Sequence, residues 1–102
     1  MAELVVMYKT PKDPAVFDKY YFETHIPIAK KIPGLRKYQV SQGPVATPAG
    51  PSAFHLIAIL TFDNLVAIQA AFASAEGKAT AADVPKFATG GVDMVLFDTR
   101  EV

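Results

Sequence analysis

The ten residues from Ala53 to Phe62 form an apolar segment that is hydrophobic on both alternating sides. Side chains in a β-strand alternate between two faces, so each face of this segment would carry its own row of residues. The first row is Phe54, Leu56, Ala58, Leu60 and Phe62, and the second is His55, Ile57 and Ile59. Such a strand needs apolar partners on both faces. The segment therefore predicts a sheet that must be covered on both sides.

The composition predicts one folded domain, residues 1–102. A chain of 102 residues is long enough for one hydrophobic core and too short for two domains of ordinary size. Hydrophobic residues make up 51% and charged residues 20%, so enough apolar surface can be buried to offset the entropy lost on folding. Ten basic residues balance ten acidic ones, and we therefore expect neither a nucleic acid nor a membrane as partner.

Several classes of site need residue types that are scarce here. The chain has no cysteine, which excludes disulfides, thiol nucleophiles and the usual structural zinc sites, and two histidines cannot form a three-histidine metal site. We predict no metal and no cofactor. No apolar run approaches the roughly 20 residues of a membrane span, and Glu3 stands where a signal peptide needs positive charge. A cytoplasmic location is the expectation.

Local start and stop signals divide the chain into six main elements. Asp13 followed by Pro14 is typical of a helix N-terminus, and Asp63 is expected to cap a later helix. Pro27 should break the first helix, because the residue before a proline is disfavoured in the helical region. The predicted elements are a strand at 4–8, a helix at 14–24 with a short segment at 27–32, strands at 35–42 and 53–62, a helix after 63 with a second piece at 75–83, and a strand at 92–99. This βαββαβ order is typical of ferredoxin-like α+β folds, in which an antiparallel sheet carries the helices on one face.

That architecture leaves the other face of the sheet uncovered. In a monomer the row that contains Ile57 and Ile59 would lie in water, and contiguous apolar patches of this kind usually mark an interface. We predict a homodimer in which two sheets meet face to face and close into a barrel, with the helices outside. The alternative is a monomer with scattered surface aliphatic residues.

A cluster of aromatic residues with one histidine lies in the first predicted helix. Phe17, Tyr21 and His25 are four residues apart, so they share one helical side and Tyr21 can meet His25. The ordinary pKa of histidine, near 6.5, suits proton exchange at neutral pH. We therefore predict His25 as a general acid or base at the mouth of a pocket between helices and sheet, with Tyr21 orienting the substrate. The predicted ligand-binding residues are Phe17, Tyr20, Phe62, Ile68, Phe72 and Phe87.

The alternative for His25 is a capping or hydrogen-bonded histidine that fixes the helix break. No convincing carboxylate partner for it is evident in the sequence. His55 is expected to be structural or interfacial, since it lies within the predicted central strand and shares a face with Ile57. A metal site would need the two histidines to be joined by an aspartate such as Asp83 in a geometry that the sequence does not supply.

Two stretches of the chain carry motifs that resemble a known family. The first has the form F-x-x-Y-Y-x-x-x-H-x-P followed by P-G-L-x-x-Y, and it runs from Phe17 to Tyr38. The second consists of Phe62-Asp63, Phe72, Ser74-Ala75-Glu76-Gly77, Asp83 and Phe87. In these residues the chain resembles the EthD family of small proteins associated with bacterial degradation of ethyl tert-butyl ether.

The resemblance implies the dimeric α+β barrel superfamily. Relatives in that superfamily include cofactor-independent monooxygenases, lactone isomerases and polyketide cyclases that act on small, mostly aromatic or lactone-like molecules. By the same resemblance His25 takes the place of the family's histidine, and Tyr20 and Tyr21 form its aromatic pair. A shared fold does not transmit chemistry, so two functions stay open. One is a small-molecule enzyme, such as a cofactor-independent oxidoreductase or an isomerase or cyclase, that uses His25. The other is a non-catalytic accessory protein that binds or sequesters a hydrophobic substrate or product of an ether-degrading oxygenase system.

Overall fold

A computed structural model describes residues 1–102, in which a four-stranded antiparallel sheet carries a helical layer on one face. The strands and helices are β1 (Ala2–Lys9), α1 (Pro14–Tyr20), α2 (Ile26–Ala29), β2 (Lys37–Val40), β3 (Ala46–Thr47), β4 (Gly50–Pro51), β5 (Phe54–Phe62), α3 (Leu65–Ala73), α4 (Ala75–Asp83) and β6 (Val92–Asp98). A π-helical turn, Tyr21–His25, joins α1 to α2, and a 3₁₀ turn, Val84–Lys86, follows α4. The sheet order is β2-β5-β1-β6, while β3 and β4 form a separate hairpin. The predicted ferredoxin-like α+β fold is confirmed, with the two-sided apolar segment as an inner strand.

The first helical region does not break where the sequence predicts. Asp13 caps α1 as expected, and its carboxylate accepts a hydrogen bond from the backbone N–H of Val16. Ile26, however, keeps helical angles (φ −56, ψ −46), and its N–H donates to the carbonyl of Tyr21 five residues earlier. Pro27 therefore lies in the first turn of α2, where a missing amide hydrogen costs little. The wider π turn replaces the predicted break.

The cap of α3 also differs from the prediction. Asn64, and not Asp63, has the extended backbone of a cap residue, and its side-chain oxygen accepts from the N–H of Ala67 at 2.8 Å. The carboxylate of Asp63 accepts two hydrogen bonds from the guanidinium of Arg36, at 3.0 and 2.9 Å. This bidentate pair holds Asp63 toward β2, so the capping role moves to the next residue.

The hydrophobic core lies between the inner face of the sheet and the helices. Inner residues of β1 and β5 are buried: Ala2, Leu4, Val6 and Tyr8, with Leu56, Ala58, Leu60 and Phe62. The helical side contributes aromatic and aliphatic groups that pack against them: Phe17, Tyr21, Ile68, Ala71 and Phe87. The predicted inward row of the central strand is therefore confirmed from Leu56 onward, and Phe54 at its end is half-buried.

The outer face of the sheet carries apolar residues with no helix over them. Val5 is paired with Ile59 on one side and with Val95 on the other, so the three side chains share this face. On the edge strand β6, Val95 and Phe97 are 47% and 43% exposed. We refer to this surface as the outer sheet face. None of the helices is long and apolar enough to span a bilayer.

A bulge in β5 places His55 on the helical side of the sheet. Tyr8 pairs with Leu56 while Lys9 pairs with Phe54, so His55 is an extra residue in its strand. Such a residue interrupts the alternation of faces. Its imidazole lies 5.1 Å from the ring of Phe17 in α1, measured between ring centroids. The prediction that His55 shares a face with Ile57 is therefore wrong.

A tight corner at Ser74 joins α3 to α4. The Ser74 hydroxyl donates to the carbonyl of Ala71 and accepts from the N–H of Gly77. The first turn of α4 therefore lies directly against the end of α3. A Cβ atom at Gly77 would lie only 2.0 Å from the carbonyl oxygen of Ala71 and 2.6 Å from the Cα of Phe72. The corner requires glycine because backbone atoms occupy the space of any side chain.

We expect Gly77→Ala to lower the free energy of unfolding by about 2 kcal/mol or more, because the backbone of α3 must shift to admit the methyl group. This loss should outweigh the higher helix propensity of alanine. Urea unfolding followed by circular dichroism measures it. Lys78→Ala is the matched control, since it alters an exposed neighbour and should change stability by about 0.5 kcal/mol or less. Equal urea midpoints for Gly77→Ala and Lys78→Ala would contradict the close approach of position 77 to the backbone of α3.

Candidate functional site

A small cavity of about 100 Å³ lies between the helices and the inner face of the sheet. We refer to it as the inner cavity. Most of its lining is aliphatic, with Leu4, Val6, Ala58 and Leu60 contributed by the sheet. Its polar groups belong mainly to three tyrosines and one histidine: Tyr8, Tyr21, Tyr38 and His25. An apolar cavity with a few convergent polar groups is the usual form of a small-molecule site.

His25 is held at this cavity by a buried carboxylate. Its Nδ1 lies 2.8 Å from Oδ2 of Asp83, and each side chain is only 4% exposed. The hydroxyl of Tyr20 donates to the other oxygen of Asp83 at 2.6 Å. The end of the π turn and the end of α4 bring these groups together across 58 residues of sequence. The expectation that His25 lacks a carboxylate partner is therefore wrong.

The protonation states of the pair follow from burial and hydrogen bonding. Burial lowers the pKa of His25 below its ordinary value of 6.5, although Asp83 acts in the opposite direction. Burial would raise the pKa of Asp83, but the hydrogen bonds from Tyr20 and His25 outweigh it and the pKa is lowered. At neutral pH Asp83 is thus a carboxylate that only accepts hydrogen bonds. Neutral His25 carries its proton on Nδ1, and its Nε2 has a lone pair free to accept a proton.

Tyrosine hydroxyls supply hydrogen-bond donors near this imidazole. The hydroxyl oxygens of Tyr21 and Tyr38 lie 2.6 Å apart, and Tyr8 packs edge-on against the ring of Tyr21 at 5.5 Å between centroids. Burial raises the pKa of all three phenols, so they stay protonated at neutral pH. In the Tyr21–Tyr38 pair one hydroxyl donates to the other, which leaves the proton of the second free to bond a ligand.

Aromatic rings pack against the imidazole of His25. The centroid of the Phe87 ring lies 4.6 Å from that of His25, and the ring of Tyr21 lies 5.3 Å from it. Phe17 stacks on Tyr21 with an interplanar angle of 5°. The predicted approach of Tyr21 to His25 is therefore present. These contacts restrict the rotation of the imidazole and hold Nε2 in one position.

The other predicted binding residues divide between cavity and core. Phe72 lines the inner cavity with Tyr21 and His25. Phe17 and Phe87 do not line the cavity but pack against the rings of Tyr21 and His25, which do. The hydroxyl of Tyr20 bonds to Asp83 and does not reach the cavity. The remaining two residues, Phe62 and Ile68, are buried in the core and do not line the cavity. The binding roles assigned to all of them stay predictions.

Sequence reasoning did not find three residues of this site: Asp83, Tyr8 and Tyr38. Asp83 belongs to the second family motif and was considered only as a metal ligand, because no local pattern relates an aspartate at the end of a helix to His25. Tyr8 ends an ordinary apolar strand. Tyr38 closes the P-G-L-x-x-Y motif, and this was the one signal that could have found it. Their convergence depends on packing between elements that are distant in sequence.

The two histidines form separate pairs with aspartates. His55 Nε2 lies 2.7 Å from Oδ1 of Asp18 in α1, and this pair is more exposed than that of His25 and Asp83. No group of three or more histidine, aspartate or glutamate side chains lies close enough to hold a metal ion together. Each imidazole therefore has a single carboxylate partner.

We expect Asp83→Asn to lower the pKa of His25 further, because it removes the carboxylate that favours the imidazolium while burial remains. A titration of the imidazole signals by NMR measures this shift, and His55→Gln assigns the two sets of signals. Asp18→Asn is the matched control, since it changes the other pair and should leave the pKa of His25 unaltered. An unchanged or higher pKa of His25 in Asp83→Asn would contradict the assigned pairing.

Distant structural relatives share the fold. A variant of SnoaB, a cofactor-independent oxygenase from Streptomyces nogalater, is 16% identical with a TM-score of 0.68, covering 99% of this chain and 94% of that chain. A protein from Bacteroides fragilis, described as dimeric, ferredoxin-like and of unknown function, is 18% identical with a TM-score of 0.66. The match covers 96% of this chain and 95% of that chain. At these identities the likeness concerns the architecture alone.

Three other matches, to a family domain, to a bacterial protein and to a solved structure, show a stronger similarity in sequence and agree with one another. The EthD domain matches residues 9–91. An uncharacterized 11.0 kDa protein from the thcB-thcC intergenic region of Rhodococcus erythropolis is 37% identical, covering 100% of this chain and 98% of that protein. An ethyl tert-butyl ether degradation (EthD) family protein from Bacillus halodurans is 36% identical with a TM-score of 0.89, covering 98% and 99%. The chain therefore belongs to the EthD family.

Proposed function

We propose that this chain binds a small hydrophobic or aromatic molecule in the inner cavity and removes a proton from it with His25. The observation that carries the proposal is the buried His25–Asp83 pair, which leaves Nε2 of the imidazole free beside an apolar cavity. A general base must be neutral at the working pH and within hydrogen-bond reach of the proton that it takes. The lowered pKa of His25 meets the first condition.

The proposed step moves one proton. A ligand hydroxyl, or a C–H next to a carbonyl, would give its proton to Nε2 of His25, and the electron pair would stay on the ligand. The imidazolium would then be stabilised by the carboxylate of Asp83. The free phenolic proton of the Tyr21–Tyr38 pair would donate to the negative oxygen that develops on the ligand. Burial of the site strengthens both interactions because little water competes.

The proposal covers more than one reaction class. Proton removal would begin an isomerisation or a cyclisation. The fold likeness to a protein described as a cofactor-independent oxygenase supports including an oxygenation among the proposed classes.

The second candidate is a non-catalytic protein that binds or sequesters a hydrophobic substrate or product of an ether-degrading oxygenase system. The observation that favours it is the structural role of the His25–Asp83 bond, which ties the π turn to α4 whether or not a proton moves. In that case the aliphatic lining and the tyrosine hydroxyls would hold the ligand, and the imidazole would only maintain the shape of the cavity.

The two candidates differ in what His25→Gln does. Mass spectrometry of molecules released from the purified protein identifies the ligand, and its turnover is then measured. We expect His25→Gln to lower turnover by about 100-fold or more while binding persists, because a general base contributes about that much. Because burial depresses the pKa of His25, activity should persist at pH 6.5 and fall at lower pH as the base becomes protonated.

The exposed α3 residue Val66 provides the control, since Val66→Ala should leave turnover unchanged. Unchanged turnover in His25→Gln would contradict the role of general base. If the ligand binds to the unaltered chain and to His25→Gln, and each releases it chemically unchanged, the result would favour the non-catalytic candidate.

We also propose that two copies pack their outer sheet faces together. The support is the contiguous apolar surface that contains Val5, Ile59 and Val95, together with a relative of the same fold that is described as dimeric. A dimer of this kind would bury both outer faces and leave the helices and both inner cavities outside the interface.

We expect light scattering to give twice the chain mass of 11.0 kDa. Val95→Asp should shift it toward the single-chain mass, because a carboxylate would be buried without a partner. Leu96→Asp is the matched control: this neighbour has a similar exposure but lies on the other face of β6, so the dimer should persist. A single-chain mass for the unaltered protein would rule out the dimer.

A further inference from the structure

The inner cavity alone is too small for most organic ligands. Its volume is about 100 Å³, whereas ligand pockets commonly measure roughly 300–1,000 Å³. An engineered apolar cavity of about 150 Å³ holds a benzene molecule. The inner cavity is smaller than that, so it can hold at most part of one ring, and the remainder of a ligand must lie elsewhere.

A larger groove of about 710 Å³ lies on the same side of the sheet. We refer to it as the outer groove. Its apolar wall includes Val40 at the end of β2, Phe54 and Leu56 in β5, and Phe22 from the π turn. Its polar wall includes the His55–Asp18 pair, which the proposed proton transfer does not use.

The inner cavity and the outer groove are neighbours along the sheet. Val40 and Leu56 line the groove, and the cavity begins two residues away on the same strands, at Tyr38 and Ala58. Val40 is paired with Ala58, so all of these side chains share the inner face. A step of two residues along a strand is about 7 Å. The two spaces are therefore adjacent along β2 and β5.

The first helical region also lines both spaces. Asp18 and Phe22, four residues apart, line the outer groove, while Tyr21 and His25, also four apart, line the inner cavity. The two pairs form neighbouring stripes on one continuous helical segment. Seven residues separate Asp18 from His25, which corresponds to roughly 10 Å along a helix.

We propose that the outer groove and the inner cavity form one elongated binding site, in which the oxygen-bearing head of a ligand lies at His25 and its apolar body lies in the groove. This inference rests on the proposed function, because it assumes that the inner cavity holds the reacting group. The ligand class is an elongated, mostly apolar molecule with a hydroxyl or amine at its far end, about 10 Å from the reacting oxygen.

The chemistry of the groove supports this class. One oxygen of Asp18 accepts from His55, and the carboxylate is half exposed with capacity for another donor. A ligand hydroxyl or amine could therefore bond to it, while Val40, Phe54 and Leu56 contact the apolar body. The groove lies on the helical side of the sheet, so the proposed packing of outer sheet faces would leave it open.

NMR titration with three phenols tests the inference, because the chain has only two histidines and each reports on one space. Phenol should shift the imidazole signals of His25 alone. The longer para-butylphenol should shift both histidines and bind about tenfold more tightly, since its chain is buried in the groove. A probe with a terminal hydroxyl, para-(4-hydroxybutyl)phenol, should in addition lose affinity in Asp18→Asn.

Phe22→Ala should remove most of the affinity gain of para-butylphenol and leave the affinity for phenol unchanged. Phe22 is half exposed, so this change should not impair folding. Val66→Ala, an exposed apolar position on α3, is the control and should alter neither affinity.

The outcomes separate the two proposals. If phenol shifts His25 but para-butylphenol binds no more tightly, or shifts His55 without His25, the elongated site is wrong and the proposed function stands. The elongated site is also wrong if para-butylphenol still binds more tightly than phenol to Phe22→Ala by the same factor. If none of the three probes shifts His25, both proposals fail.

Discussion

The hydrogen bond between His25 and Asp83 links the two parts of the helical layer that enclose the inner cavity. One partner ends the π turn and the other ends α4, so the bond fixes the distance between these elements over the sheet. Both groups are almost fully withdrawn from water, and removal of either would leave a buried polar group unsatisfied. The same bond directs the free nitrogen of the imidazole away from Asp83. The shape of the cavity and the proposed chemistry therefore depend on one interaction.

The π turn ends at the histidine that forms this bond. One additional residue in a helix rotates everything that follows it by about 100°, since each residue of an α-helix turns by that angle. The turn ends at His25 and accommodates Pro27 in the first turn of α2 without a break. Such turns often occur at functional sites. Here it sets the orientation of the histidine relative to the helix that follows.

The two faces of the sheet have different surroundings. The inner face carries the core, the inner cavity and the outer groove, and the helices cover much of it. The outer sheet face carries a contiguous apolar surface around Val5, Ile59 and Val95, and no helix covers it. A single strand, β5, contributes to both faces and therefore to the core, to the cavity and to the proposed contact between copies. This explains why almost every residue of that strand is apolar.

The sequence by itself determined the order of the six main elements, the inner position of the segment from Ala53 to Phe62, the cap at Asp13, and the approach of Tyr21 to His25, but not the small hairpin of β3 and β4. Each of these depends on spacing within one strand or a few helical turns, where backbone geometry fixes which side chains meet. Membership of the EthD family was also visible, because each of its two motifs depends on residue spacing within a limited stretch of sequence.

Only the tertiary structure decided the pairing of His25 with Asp83, of Tyr21 with Tyr38, and of His55 with Asp18. The partners in these pairs are 58, 17 and 37 residues apart, and no local pattern relates them. The bulge that turns His55 toward α1 results from the register between β1 and β5, which their packing sets. Local spacing thus specified the elements, while the packing of distant elements created the site, because the bonds that define it join residues whose proximity arises only on folding.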